Sequence, residues 1–204
     1  MIGGINPWMC MWTNPRLTIR AIVTVNPRYG VFYLAWLYVL QTFFFVANYW
    51  SLGFSFSFLS LLTAALVLSP FVGYLWLYFT GWVFYFTGRW LGGQAPMSHL
   101  RAAAAWSKIP VSIALVMWLI LMVVNPEWAF IQGISLPSTV FIQLIAFILG
   151  IWSFVLLIQS IREIQGFTIL RSLLNLIIAS LISSVASILV FAALKYIYTT
   201  VYYF

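Results

Sequence analysis

The sequence predicts an all-α membrane protein, a polytopic bundle of five transmembrane helices, and three observations support this prediction. The 204-residue chain is 65% hydrophobic and only 5% charged, whereas soluble domains are about 25% charged. Its apolar runs are about 20 residues long and lack the alternation of a barrel strand. Basic residues, the third observation, cluster in alternate loops. Because backbone polar groups in hydrocarbon must pair within their own segment, the apolar runs are predicted to be helices.

Five apolar runs are long enough to cross a bilayer, and they lie near 30–50, within 58–88, and near 105–125, 138–160 and 173–195. A helix over all of 58–88 would be about 46 Å long, so it is predicted to tilt, project or bend where Pro70 and Gly73 follow Ser69. We expect residues 1–29 to be a cytoplasmic segment with an interfacial helix. Residues 30–204 then form a single five-helix transmembrane domain.

The basic residues predict the orientation of the bundle. Eight of the nine lie before the first span, between the second and third, or between the fourth and fifth; they are Arg16, Arg20, Arg28, Arg89, Arg101, Lys108, Arg162 and Arg171. Loops 51–57 and 126–137 contain no Lys or Arg. The positive-inside rule therefore predicts a cytoplasmic amino terminus and an outside carboxyl terminus. The net charge of +7 then reflects loops facing an anionic leaflet, and no nucleic-acid partner is predicted.

Two inner loops carry arginines at unusual positions. Ser98 and Thr168 resemble helix N-caps, and Arg101 and Arg171 follow them by three residues. A cation at that position opposes the helix dipole. One explanation is that these arginines only orient the protein in the membrane. The other is that they also hold phosphate groups of lipids at exposed helix N-termini.

Glycines are predicted to shape the same loops. Gly92 and Gly93 lack the spacing of a phosphate-binding loop and are expected to end the second span, before a short interfacial helix over roughly 97–108 that Pro96 opens. Gly166 is expected to end the fourth helix. Glu163 is the only acidic residue predicted on the inner side, and we expect it to pair with Arg101, Arg89 or Arg171.

Residue types argue against catalysis. The chain has one His, one Cys, no Asp and two Glu, which excludes a Ser-His-Asp triad, a multi-His metal site and a paired-carboxylate site. No enzyme activity, cofactor or metal is therefore predicted. The predicted span middles contain no Asp, Glu, Lys, Arg or His, which argues against ion-coupled transport. Small residues instead form seams that favour helix packing or homo-oligomer contacts. Ala65, Ser69 and Gly73 are four residues apart in the second span, and Gly81 and Gly88 extend that face. In the fifth span the pairs Ser180–Ser184 and Ser183–Ser187 have the same spacing.

Three stretches together resemble the Yip domain family of Ypt/Rab-interacting membrane proteins. They are "NPWMCMWTNPRLTIRAIVTVNPRYG" before the first span, "GRWLGGQAPMSHLRAAAAWSKIP" after the second, and "IREIQGFTILRSLLN" between the fourth and fifth. The resemblance implies five spans with a cytoplasmic amino terminus. Eukaryotic members are linked to early secretory membranes and small GTPases. Because this sequence has neither their long amino-terminal region nor its Asp-Leu-Tyr-Gly-Pro type motif, a short prokaryote-like member in the cell (inner) membrane is expected.

The leading functional hypothesis is a non-enzymatic protein that organises membrane lipids, through anionic head groups, or partner proteins. Its predicted binding residues are Arg89, Arg101, Arg162, Glu163 and Arg171, and Gly92, Gly93 and Gly166 shape the loops that carry them. The alternative is a channel, small-molecule permease or lipid-moving protein with a polar cavity lined by Ser69, Tyr74, Tyr78, Asn175, Ser180 and Ser184. A third hypothesis is a docking site for a GTPase or another cytosolic protein, and a homo-oligomer is also compatible with the sequence.

Overall fold

The computed structural model describes residues 4–126, 128–132 and 136–203. Its elements are eight α-helices and one 3-10 turn, Leu52–Phe54, in the loop before the fourth helix. The helices are α1 (Pro7–Thr13), α2 (Pro15–Val25), α3 (Val31–Tyr49), α4 (Phe58–Trp90), α5 (Met97–Trp106), α6 (Ile109–Val124), α7 (Leu136–Gln165) and α8 (Ile169–Tyr203). The all-α prediction is confirmed.

Four helices are long and apolar enough to cross a membrane: α3, α4, the Val140–Gln165 part of α7 and the Ile169–Leu189 part of α8. The pair α5–α6 passes the same test as one broken span with a bend of 42°. The described chain therefore has four candidate spanning helices, or five when the bent pair is counted as one span.

The third predicted span, 105–125, is divided between two helices. Pro110 has no N–H to donate to the carbonyl of Trp106, and its ring would clash with the preceding turn of a continuous helix. The Ser107 hydroxyl instead donates to the Ala104 carbonyl at 2.8 Å. The chain therefore turns at Lys108 before α6 begins.

Helix α5 is enclosed by other helices. Leu100 and Trp106 are fully buried, and so are the four alanines between Arg101 and Trp106. Because alanine is small, the backbones of α3, α4 and α7 can approach this helix closely. The expected short helix is present, although it ends at Trp106, and its position at a membrane interface stays a prediction.

The amino-terminal helices share a core with the bundle. Met11, Ile19 and Ile22 are fully buried in one cluster with Trp106 of α5. The Trp106 indole N–H donates to the Tyr29 carbonyl at 3.0 Å. Its ring also packs on the rings of Trp8 and Tyr29, with centroids 5.2 and 5.9 Å away. Trp106 thus fastens α1 and α2 to the spanning helices.

The small-residue seam of α4 is confirmed as a packing surface, since all five of its members are buried. A Cβ built on Gly73 would lie 3.1 Å from the Ala35 carbonyl oxygen, so α3 and α4 touch through their backbones. The Ser69 hydroxyl accepts a hydrogen bond from the Trp36 indole at 2.9 Å. Helix α4 runs unbroken through Pro70.

The α8 seam is different from the α4 seam. Ser180, Ser184 and Ser187 are exposed on the described part of the helix, and Ser183 is half-buried. The two serine hydroxyls with assigned bonds donate to their own helix, Ser180 to the Ile177 carbonyl and Ser187 to that of Ser183. This seam therefore does not pack as the α4 seam does.

The two ends of the bundle differ in charge. At one end the loops after α3 and α6 meet, since the Gly53 N–H donates to the Phe130 carbonyl and the Asn48 amide to the Ala129 carbonyl, both at 3.0 Å. No basic residue lies in the described parts of these loops. We call the opposite end, formed by α1, α2 and the α4–α5 and α7–α8 turns, the basic end.

Candidate functional site

All seven arginines of the chain lie on elements of the basic end. Six of them lie within helices α2, α4, α5, α7 and α8, whose ranges are given above. The seventh, Arg28, lies in the turn between α2 and α3. Within the described residues the only carboxylate side chain is that of Glu163, because Glu127 lies outside them. The basic end therefore carries a large excess of positive charge.

Glu163 pairs with arginines of α2. The Arg16 Nε donates to Oε2 at 2.8 Å, and the Arg20 Nε donates to Oε1 at 2.6 Å. The predicted pairing of Glu163 with Arg101, Arg89 or Arg171 is wrong. The physical reason is that α2 packs along the last turns of α7 and presents both guanidinium groups to this carboxylate.

The ion-pair cluster ties the amino-terminal helices to the bundle. The Glu163 side chain is only 7% exposed, whereas those of Arg16 and Arg20 are 48% and 62% exposed. A buried carboxylate is costly unless it is paired and hydrogen-bonded, and here each oxygen has an arginine donor. With this carboxylate engaged by α2, the other arginines of the basic end have no described carboxylate partner.

A cleft at the basic end brings two of those arginines together. It has a volume of about 160 Å³ and is formed where α4 and α5 meet the turn before α3; its lining includes Arg28, Phe32, Tyr74, Tyr78, Ser98 and Arg101. We call it the arginine cleft. The guanidinium of Arg101 lies 4.2 Å from the centroid of the Tyr78 ring, a cation–π geometry that holds it in place.

Arg101 reaches the cleft because α4 has a glycine opposite its stem. A Cβ on Gly81 would collide with the Arg101 Cγ, so the absence of a side chain leaves the path that the arginine takes. The Arg101 Nε also donates to the Met97 carbonyl at 3.4 Å. Gly81 therefore positions Arg101, a role that small-residue spacing alone did not reveal.

The two predicted N-caps have different outcomes. Thr168 caps α8, since its hydroxyl accepts from the Arg171 N–H at 3.3 Å, and this prediction is confirmed. Helix α5 begins at Met97 after Pro96 and has no side-chain cap. The prediction for Ser98 is wrong because Pro96 already supplies the extended residue before the helix. Ser98 lines the arginine cleft instead.

The glycine turns form as predicted. Gly92 has a φ of +87°, and the Gly93 N–H donates to the Gly88 carbonyl at 2.8 Å. Gly166 has a φ of +68°, and the Phe167 N–H donates to the Arg162 carbonyl at 3.0 Å. Both are Schellman helix ends, in which the left-handed residue is best supplied by glycine. They fix where α4 and α7 stop at the basic end.

Gln165 is a residue of this end that the sequence reading did not identify. It is the last residue of α7, it is 9% exposed, and its Oε1 accepts from the Ala95 N–H at 3.2 Å. A side chain at Gly88 or Gly93 would collide with its amide. Gly92 therefore serves the turn, whereas Gly88 and Gly93 allow the close approach of Gln165.

The remaining predicted binding residues lie apart from the cleft. Arg89 packs over the Tyr85 ring at 5.0 Å, Arg162 lies in the last turn of α7, and Arg171 is exposed on the first turn of α8. Arg89 and Arg162 favour their own helix ends through the dipole. Of the five predicted residues, Arg101 alone lines the arginine cleft, and the site combines it with Arg28.

The residues expected to line one polar cavity are separated. Tyr74 and Tyr78 line the arginine cleft, and Ser180 lines a different cavity between α4, α7 and α8. Ser69 bonds to Trp36, as described, and Asn175 is buried with its Oδ1 accepting from the Thr87 hydroxyl at 3.4 Å. The predicted cavity is wrong because these side chains leave α4 and α8 in different directions.

Lys108 lies deeper than predicted. Its ammonium is 4.8 Å from the centroid of the Tyr38 ring, and Tyr38 lies about 10 Å along α3 from the basic end. Lys108 itself lies in the turn between α5 and α6, so the prediction that span middles hold no Asp, Glu, Lys, Arg or His stays a prediction. Lys108 is half-buried, and the cation–π contact stabilises its charge by about 0.5–2 kcal/mol.

Metal ligands and reactive groups are sparse. In the part of the chain that the structure describes, no group of three or more His, Cys, Asp or Glu side chains could hold a metal ion. His99 is half-buried on α5, and Cys10 is a free, half-buried thiol on α1. The guanidinium and hydroxyl groups of the basic end are donors that can bind anions.

The comparison with known families agrees with this architecture. No curated protein and no solved structure matched the chain. The family model of the Yip1 domain matches residues 9–196, which include most of α1 and all of α2 as well as the long apolar helices. The match covers most of the 204 residues, so the chain is an integral membrane protein that belongs to the Yip1 domain family.

Proposed function

We propose that this protein is non-enzymatic and organises membrane lipids by holding anionic head groups in the arginine cleft. The observation that carries the proposal is the meeting of Arg28 and Arg101 with the hydroxyl groups of Ser98 and Tyr78 in one cleft. Guanidinium and hydroxyl groups are the donors that phosphate oxygens accept most strongly.

The surroundings of the cleft support a lipid ligand. Tyr74 and Tyr78 are 47% and 46% exposed, and Phe32 beside them is 43% exposed. Amphipathic rings of this kind are typical of the level where head groups meet acyl chains. The phosphate would lie against the arginines and the chains would run along the aromatic surface.

The charge of the basic end supports the same proposal. Glu163 engages Arg16 and Arg20, which leaves Arg28 and Arg101 without a described carboxylate partner.

The basic end is then the cytoplasmic end, with the amino terminus inside and the carboxyl terminus outside. We place the protein in the inner membrane of a prokaryote, where this end faces an anionic leaflet.

The test counts anionic lipids retained by the purified protein. Protein from nanodiscs containing phosphatidylglycerol in phosphatidylcholine is extracted into neutral detergent, and bound lipids are counted by native mass spectrometry. Arg28→Gln and Arg101→Gln should each lower phosphatidylglycerol retention by about tenfold. Arg171→Gln removes the same charge from an exposed side chain outside the cleft and should retain the lipid. Equal losses in all three variants would contradict the proposal.

A further inference from the structure

A cavity inside the bundle contains Lys108. Its volume is about 440 Å³, within the range of about 300–1,000 Å³ typical of ligand sites. Its walls are mostly aromatic and aliphatic, and include Trp76, Phe84, Phe154 and Leu157. A second cavity of about 470 Å³ shares Tyr38 and Lys108 with it and continues toward Gln41 and Gln143. Lys108 therefore lies where two cavities adjoin.

The cavity lies well inside the spanning helices. Phe154 and Ser180 line the same cavity as Lys108 and lie about 16 Å from the basic ends of α7 and α8. Long apolar helices therefore form much of its wall. An ionisable side chain between such helices is a functional-site candidate by default, with its partner to be named.

The partner of Lys108 is not a described protein carboxylate. The chain has two carboxylate side chains, and the described one, Glu163, is held by Arg16 and Arg20. The only described contact of the Lys108 ammonium is the Tyr38 ring. An ammonium has three donors, and a ring face leaves room for an anion at the others.

The cavity opens sideways, between α7 and α8. Phe154 on α7 and Ile177 on α8 both line it and are 48% and 53% exposed. Ser180, one turn further along α8, is also exposed and lines the cavity. A ligand entering here comes from the hydrocarbon of the membrane, which favours an amphiphile over a water-soluble anion.

We propose that this cavity binds one acyl amphiphile with an anionic head, its phosphate or carboxylate on the Lys108 ammonium and its chain along the apolar wall. A phospholipid and a fatty acid share this chemistry. The inference does not depend on the arginine cleft, since no residue lines both cavities.

The experiment adds dioleoylphosphatidylglycerol or oleate separately to delipidated full-length protein in neutral detergent, and native mass spectrometry counts bound molecules. We expect one molecule of phosphatidylglycerol or oleate per chain to remain when the arginine cleft is inactivated by Arg101→Gln. Lys108→Gln in that background should lower its occupancy by about tenfold or more, and Lys108→Arg should retain it. Arg171→Gln is the charge-matched control.

A second variant tests the proposal even if Lys108→Gln fails to fold. Ser180→Trp fills the opening while Lys108 stays intact, and it should also lower occupancy. Retention of phosphatidylglycerol identifies a phospholipid site, and retention of oleate alone identifies a fatty-acid site. Binding of neither probe, or undiminished occupancy in both Lys108→Gln and Ser180→Trp, overturns the proposal. Loss in Arg101→Gln alone would assign all bound lipid to the arginine cleft and also overturn it.

Discussion

The indole N–H of Trp106 donates to the carbonyl of Tyr29 at 3.0 Å, so the residue that ends α5 holds the turn that leads into α3. A Cβ on Gly30 would lie 3.2 Å from the Trp106 ring, and Gly30 itself has a φ of +67°. The amino-terminal segment and the broken helix are therefore fixed against one another at this point. Arg28, in the same turn, lines the arginine cleft together with Arg101.

Replacing Trp106 with Phe should cost more stability than the same change at Trp118. Both indoles are fully buried, but the Trp118 N–H has no partner within the described residues. The two variants lose similar ring volume, so the difference reports the hydrogen bond, about 1 kcal/mol. Free energies of unfolding in mixed detergent micelles measure it. Equal losses would show that the Tyr29 contact contributes nothing.

Gly93→Ala should destabilise the protein because Gln165 occupies the space of the new methyl group. We expect about 1–3 kcal/mol, the usual cost of overpacking. Gly92→Ala adds a methyl group in open space at a positive φ and should cost about 1–2 kcal/mol from backbone strain alone. In a Gln165→Ala background the cost of Gly93→Ala should fall and that of Gly92→Ala should not. If Gln165→Ala does not change the cost of Gly93→Ala, the inferred collision between the new methyl group and Gln165 is refuted.

Glu163→Gln should loosen α1 and α2. The change leaves Arg16 and Arg20 without their carboxylate; the cost should be about 1–2 kcal/mol, because both arginines are partly exposed to solvent. The readout is native Cys10, half-buried on α1, whose labelling by a maleimide should become faster. Arg162→Gln, one residue away on α7, is the control. An unchanged labelling rate in Glu163→Gln would contradict the role of this ion pair.

Orientation can be measured with single cysteines in a Cys10→Ser background. Gln94 and Ser55 are exposed at the two ends of the bundle. In intact cells an impermeant maleimide should label Ser55→Cys, and it should label Gln94→Cys only after the membrane is opened. The opposite pattern would reverse the proposed orientation.

Much of the fold follows from local sequence. Hydropathy predicts the long helices, and glycines at 92 and 166 predict their ends, because turn geometry depends on a few neighbouring residues. The partner of Glu163 could not be predicted in the same way. Arg16 and Arg20 are 147 and 143 residues away, and charge alone does not distinguish them from the other arginines of the basic end.

The candidate site was predicted in part. The sequence predicted Arg101 as a binding residue because a cation near a helix N-terminus opposes the helix dipole. The neighbours of Arg101 in the structure depend on Gly81, and from the sequence alone this glycine indicates only helix packing. The sequence predicted Lys108 in an inner loop, because hydropathy alone does not show whether the segment before Pro110 lies outside or inside the bundle. Only the enclosure of α5 by other helices shows that this approach runs inside the bundle.

The central claim is that the geometry of the arginine cleft, rather than net charge, holds the lipid. Gly81→Ala tests it most directly, because the new methyl group collides with the Arg101 stem and leaves every charge in place. Gly150→Ala is the matched control, since nothing lies within 4 Å of the Cβ that it adds. We predict that Gly81→Ala lowers the number of phosphatidylglycerol molecules retained per chain severalfold and that Gly150→Ala does not. Equal retention in the two variants, at equal thermal stability, would contradict the account.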